Sequence, residues 1–210
     1  GHGEKPIGKG ADTSQGLKLW VDGLTSEGYR AEELQLMALK DVPADALAVV
    51  AVGPQAPLTD GEREALKRYA DQGGRLVLAL DPGVEHGFGP LIESFGVEQM
   101  KGTIIDPASQ QPLWAFTQEF SEHPIAQPTR SLFGALAFVF PDASGIRNKG
   151  AEGYTVTELF KTGKDAWGET GPISGQAEVS KDASDEPGPL PLGAAVTKKG
   201  EGDKEFRAVV

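Results

Sequence analysis

Cysteine is absent from this chain, which removes disulfide staples, thiolate nucleophiles and cysteine-ligated zinc together. The absence suits cytoplasm and periplasm alike. Positive charge is scarce: 20 Lys and Arg stand against 31 Asp and Glu, for a net charge of -11. No basic stripe is present, and a nucleic-acid role is not expected, because binding phosphates needs concentrated positive charge. No apolar run approaches the roughly 18 residues that a membrane-spanning helix requires, and no signal peptide is visible. The Gly-x-Ser-x-Gly elbow, the Walker A loop and a Gly-x-Gly-x-x-Gly turn after a strand are all missing, which argues against serine hydrolysis and nucleotide binding by those routes.

What is present is an ordinary globular composition, 39% hydrophobic over 210 residues, enough for one domain with a sizeable core. The clearest stretch runs from Ala46 to Leu80. Ala46 to Val52 is a continuous apolar run ending at Gly53-Pro54, the composition of a strand covered on both faces. Thr59 and Glu62 are spaced as a capping box, and Ala65, Leu66, Tyr69 and Ala70 form the stripe of the helix that follows. Gly73-Gly74 ends that helix. Arg75 to Leu80 reads as a second buried strand closed by Asp81-Pro82-Gly83. Val49, Val50, Val77 and Leu78 are therefore expected to be buried in adjacent parallel strands.

Around this unit, residues 12 to 24 read as a helix capped by Asp12 and Gln15, with Leu17, Trp20, Val21 and Leu24 on its buried face. Tyr29 to Leu39 reads as a strand, Pro90 to Phe95 as a short helix stopped by Gly96, and Val97 to Ile105 as containing another strand. Residues 107–130 form a surface excursion, while Leu132 to Phe140 and Tyr154 to Phe160 resume the apolar pattern. Residues 181–191 form a mobile loop. Pro191 to Thr197 and Glu205 to Val210 are set up as an antiparallel pair around a charged turn, Lys198 to Lys204. The expected architecture is a single three-layer α/β/α domain over residues 1–210 with a mostly parallel sheet.

In such sheets, ligands are met at the carboxyl ends of strands. Gly53, Pro54, Asp81 and Pro82 thus mark the edge where a binding site is expected. Gly1-His2-Gly3-Glu4 adds a base and an acid between flexible glycines. His123, held extended by Pro124, can fold over the same edge. His86 lies in a glycine-rich loop and is read as solvated. Trp20 is assigned to the core, whereas Trp114 and Trp167 are open to ligand contact. No pair of histidines has the i, i+4 spacing of a helical zinc motif, so no metal or other cofactor is expected. The cluster His2, Glu4, Asp81 and His123 has two readings: a recognition site for a small polar ligand or partner peptide, or a structural lock in which His2 or His123 bonds Asp81.

Taken in order, several phrases carry a resemblance: Gly1-His2-Gly3-Glu4, Gly28-Tyr29, Val52-Gly53-Pro54, Leu58-Thr59 with Glu62, Gly73-Gly74-Arg75-Leu76 and Leu80-Asp81-Pro82. Phe95-Gly96-Val97, Ile105-Asp106, His123-Pro124-Ile125 and Ala166-Trp167-Gly168-Glu169 continue it. Together they resemble the extracytoplasmic domain of the ABC-transporter auxiliary family that includes the gliding-motility accessory protein G. The resemblance implies a fold related to class I glutamine-amidotransferase-like domains. It also implies a place on the periplasmic or extracytoplasmic face of the cytoplasmic membrane, beside ABC permease and ATPase subunits. The chain opens without methionine and stops within a strand-like run, Phe206 to Val210, so a larger membrane-anchored protein is expected. The leading expectation is a noncatalytic ligand-binding or protein-interaction domain. The competing one is a hydrolase acting on a glycan or peptide through the His2, Glu4, Asp81 and His123 cluster.

Overall fold

The computed structural model describes residues 1–8, 16–127, 138–173, 179–200, 202 and 204–210. At its centre β1 (Val49–Val52) and β2 (Arg75–Ala79) lie side by side, with α3 (Asp60–Asp71) as the crossover between them. The strands are parallel, with Val49 opposite Leu76 and Val52 opposite Ala79, as the two apolar runs predict. Thr59 caps α3: its Oγ1 accepts from the Glu62 N–H while Glu62 reaches back to the Thr59 N–H. Both ends of the capping box read from the sequence are therefore made.

The sheet does not continue in parallel. Its order is β1-β2-β13-β12-β9-β6, where β6 is Glu119–Phe120, β9 is Thr155–Lys161, β12 is Pro191–Lys199 and β13 is Glu205–Val209. β13 joins β2 in parallel, whereas β12, β9 and β6 each run antiparallel to their neighbours. The pairing of β12 with β13 is the one expected from the last two apolar runs; residues 201 and 203 of their turn lie outside the described residues.

The three-layer α/β/α architecture, and with it the amidotransferase-like domain, is corrected by this arrangement. The fold is mostly β, one mixed sheet accompanied by smaller antiparallel ones. The three-stranded one comprises β4 (Thr103–Ile105), β10 (Trp167–Glu169) and β11 (Glu186–Pro187), and the pairs are β3 (Val97–Gln99) with β8 (Ile146–Asn148) and β5 (Trp114–Phe116) with β7 (Val139–Pro141). Along β2, Leu76 and Leu78 are buried while Arg75, Val77 and Ala79 are exposed. Val77 keeps 36% of its surface, and Val49 and Val50 are only half-buried. A continuous apolar run implied burial on both faces; here one face carries the core and the other is open.

That core gathers Leu66 and Ala70 from α3, Leu91 and Ile92 from α4 (Gly89–Ser94), and Phe95, Leu76, Leu78, Val196 and Phe206. A second core holds Met100, Ile104, Ala115, Ala166, Leu190 and Leu192. Ala115 at 0% exposure shows that the expected surface excursion feeds this core through β5. The expected mobile loop likewise carries β11 and a buried Asp185, whose carboxylate accepts the Thr170 and Asp182 N–H groups.

Other local readings also change. α1 (Lys18–Ser26) buries no residue, and Trp20 is 41% exposed rather than core; Asp12 and Gln15 lie outside the described residues. Tyr29 to Leu39 holds no strand but ends in one helical turn, α2 (Leu36–Leu39), with Leu36 packed on the core. Its loose alternation did not satisfy a period of two, and a single apolar anchor served instead. Residues 132–137 also lie outside the described set. No helix of the described residues is long and apolar enough to cross a membrane.

Candidate functional site at the carboxyl edge of β1 and β2

The segment Gly1 to Lys5 lies across the carboxyl end of β1. The Lys5 N–H donates to the Val52 carbonyl at 2.9 Å, and the Gln55 and Ala56 N–H groups donate to the His2 carbonyl at 2.7 and 3.0 Å. Gly3 permits this close approach. Its φ is +78°, and a Cβ there would stand 3.0 Å from the Gln55 Cβ. Gly53, at φ +59°, makes the turn out of β1 under Asp81, whose Oδ2 would lie 3.2 Å from an added Cβ. Pro54 is buried and Pro82 half-buried beside them.

His2 is the link between this segment and α3. Its Nε2 meets Glu62 Oε1 at 2.9 Å, and its backbone N–H donates to Glu4 Oε2 at 2.7 Å. Glu62 Oε2 accepts from Thr59 Oγ1 at 2.7 Å and from the Thr59 N–H at 3.0 Å. Burial pulls the Glu62 carboxyl upward, but the bonds from Thr59 and His2 outweigh it and hold the group below its ordinary value of 4.5. A carboxylate depressed in the folded state contributes stability that is present above its unfolded pKa and lost as pH falls through the folded one. Thermal stability should therefore fall on acidification below about 4.5, and Glu62→Gln, which can keep the capping-box geometry, should flatten that acid limb. Glu62→Ala should cost about 1–3 kcal/mol at neutral pH. Identical acid limbs for parent and Glu62→Gln in a pH series of melts would refute this account.

Asp81 is exposed, and its Oδ2 accepts from Gln55 Nε2 at 3.3 Å while the same amide donates to the Gly53 carbonyl at 3.0 Å. The lock expected between His2 and Asp81 is thus made with a different carboxylate, Glu62, and Gln55 ties Asp81 to the Gly1-to-Lys5 turn. Local spacing marks Glu62 only as a capping-box residue and carries no signal for Gln55, because both contacts are long-range.

His123 does not join the site. It follows β6, five strands from β1 at about 4.8 Å each, or roughly 24 Å. β6 also runs opposite to β1, so its carboxyl end faces away from this edge. His123 Nδ1 accepts its own turn's Ile125 N–H at 3.2 Å. The four-residue acid-base cluster of the hydrolase reading is consequently not assembled.

His86 is not solvated. At 5% exposure its Nδ1 accepts the Phe88 N–H at 3.1 Å, which leaves Nε2 as the donor to Gln99 Oε1 at 2.8 Å. Gln99 Nε2 then reaches the Leu80 and Asp81 carbonyls, each at 3.3 Å, and Ser144 Oγ at 2.9 Å. This relay, running from buried His86 through half-buried Gln99, supports the turn that presents Asp81.

The edge therefore offers an outward carboxylate, an outward amide and close-lying glycine backbone over an internally bonded base. A family model described as ABC-type uncharacterized transport system matches residues 1–205. The chain belongs to that family. Membership of the ABC-type transport auxiliary family gives it a transport-associated accessory role. No curated protein matches the chain in sequence. Among solved structures, one described as "mmIFT52 N-terminal domain" is similar with a TM-score of 0.62 at 17% identity, covering 91% of this chain and 77% of that one. At that identity the likeness speaks for the fold, and it agrees with the mixed sheet rather than with three layers.

Proposed function

We propose that this chain is a noncatalytic ligand-binding or protein-interaction domain of an ABC transport system, akin to the gliding-motility auxiliary components. In this reading it lies on the periplasmic or extracytoplasmic face of the cytoplasmic membrane, works with permease and ATPase subunits, and is held there by segments outside residues 1–210. One observation supports it above the rest: His2, Glu4, Glu62 and Thr59 spend their polar groups on one another, while Asp81 and Gln55, joined by one 3.3 Å bond, are otherwise exposed to solvent. Such an edge suits recognition, because a general base committed to a buried carboxylate is poorly placed to accept a substrate proton.

Asp81→Ala separates recognition from structure. It should shift stability by no more than about 0.5 kcal/mol while lowering the transport-coupled ATPase rate of the complete transporter reconstituted in membranes. An unaltered ATPase and transport rate would remove Asp81 from the site. Turnover of peptide or glycan substrates by the purified chain above a buffer control would overturn the noncatalytic reading.

A further inference from the structure

The opposite edge of the large sheet is incomplete. β6 covers β9 only through Glu119 opposite Lys161 and Phe120 opposite Phe160, after which the Ser121 N–H donates to the Leu159 carbonyl at 3.0 Å. The chain then turns away at His123-Pro124, since proline can neither donate to a ladder nor continue the strand there. Beyond this point the outer edge of β9 has no neighbouring strand among the described residues.

Which backbone groups face outward follows from the ladder. Ala194 exchanges both of its hydrogen bonds with Val210, so its N–H and C=O point toward β13 and away from β9. Antiparallel partners alternate. Ala195 and Thr197 therefore bond Thr157 and Thr155, which lie opposite them, and the backbone of Val156 and Glu158 points to the open side. Val156 C=O accepts from Asn148 Nδ2 at 3.5 Å. By that alternation the N–H groups of Val156 and Glu158 are left without a ladder partner among the described residues, Glu158 standing just before the register shift at Gly193 and Ala194 that also turns the Leu159 carbonyl outward.

A cavity of about 520 Å³ lies over this gap, bounded by Glu119, Phe120 and Ser121 at one end and Asn148 at the other. From Val156 to Leu159 the gap is three residue steps, about 10 Å. Its charged side chains are Glu119, Glu158 and Lys161, with Lys161 Nζ bonded to Glu158 at 2.8 Å. Glu119, opposite Lys161, also acts on that ammonium but makes no close ion pair among the described residues, so two carboxylates share one cation and the rim keeps an excess of negative charge.

We infer that this gap is a strand-addition site for an extended, basic peptide segment of a partner protein, paired to the Val156 and Glu158 backbone with a Lys or Arg side chain at Glu119. Main-chain pairing supplies the affinity and the acidic rim the preference. The site is separate from the β1 and β2 edge and does not depend on the transport reading.

The probe is a capped heptapeptide of alternating lysine and valine, compared with its glutamate-for-lysine counterpart and with a version N-methylated at alternate residues. In the free protein the Val156 and Glu158 amides should exchange with deuterium faster than those of Thr155 and Thr157. Titration with the lysine peptide should shift the first two amides saturably and slow their exchange, while the N-methylated and acidic peptides fail to do so. Glu119→Gln, at an exposed position, should weaken binding about two- to fivefold. The inference is overturned if the Val156 and Glu158 amides do not respond, if the N-methylated or acidic peptide binds equally well, or if the chain dimerises through β9 so that a second copy fills the gap.

Discussion

His86→Ala is expected to unfold the protein at a markedly lower temperature than any substitution of an exposed histidine would. The side chain is 5% exposed and bonds both the Phe88 N–H and Gln99. Its removal strands the buried Phe88 N–H, at a cost of about 1–3 kcal/mol, and leaves the half-buried Gln99 amide oxygen without its donor, so a total of about 2–4 kcal/mol follows. The effect should extend to the candidate site, because Gln99 holds the Leu80 and Asp81 carbonyls. Amide hydrogen exchange should therefore quicken around Asp81-Pro82-Gly83 before the rest of the sheet opens. A melting temperature close to that of the parent would show that the relay is replaceable by water.

Phe95→Ala should be at least as damaging. Phe95 keeps 1% of its surface and packs its ring against Phe206 at 4.7 Å and Tyr154 at 5.6 Å. Phe206 and Tyr154 meet edge-to-face at 5.9 Å. The three rings join α4 to β13 and to the approach of β9, so one deletion opens a cavity between elements far apart in sequence. Large-to-small changes at such positions cost about 3–5 kcal/mol. Urea denaturation is the direct check: a midpoint shift of that size with unchanged slope is expected, and a loss below about 1 kcal/mol would mean that the three rings do not act as one packed unit.

Both predictions concern residues whose importance lay beyond local pattern. The β1-α3-β2 unit was legible because each of its signals is local: two apolar runs, a Thr59 to Glu62 capping box and a Gly73-Gly74 stop. The final hairpin of β12 and β13 was legible for the same reason. At the candidate site, Gly53, Pro54, Asp81 and Pro82 could be placed at one edge from strand ends alone, and His2 and Glu4 indeed lie across it. Periodicity does not report, however, on what covers a sheet. Continuous apolar composition in β1 and β2 suggested helices on both faces, yet α1 buries none of its residues and Val77 remains 36% exposed.

By itself, then, the sequence determined the parallel strand pair, its capped crossover, the strand-end edge and the exclusion of thiol chemistry, all of which depend on residue type and short spacing. Tertiary structure alone decided which carboxylate His2 would bond, that His86 would be buried, that His123 would lie at the far side of the sheet, and that β6 would leave part of β9 uncovered. Those outcomes depend on strand order and on long-range pairing such as His2 with Glu62, 60 residues apart. No local propensity encodes such pairings, because their energies exist only once the sheet has brought the partners together.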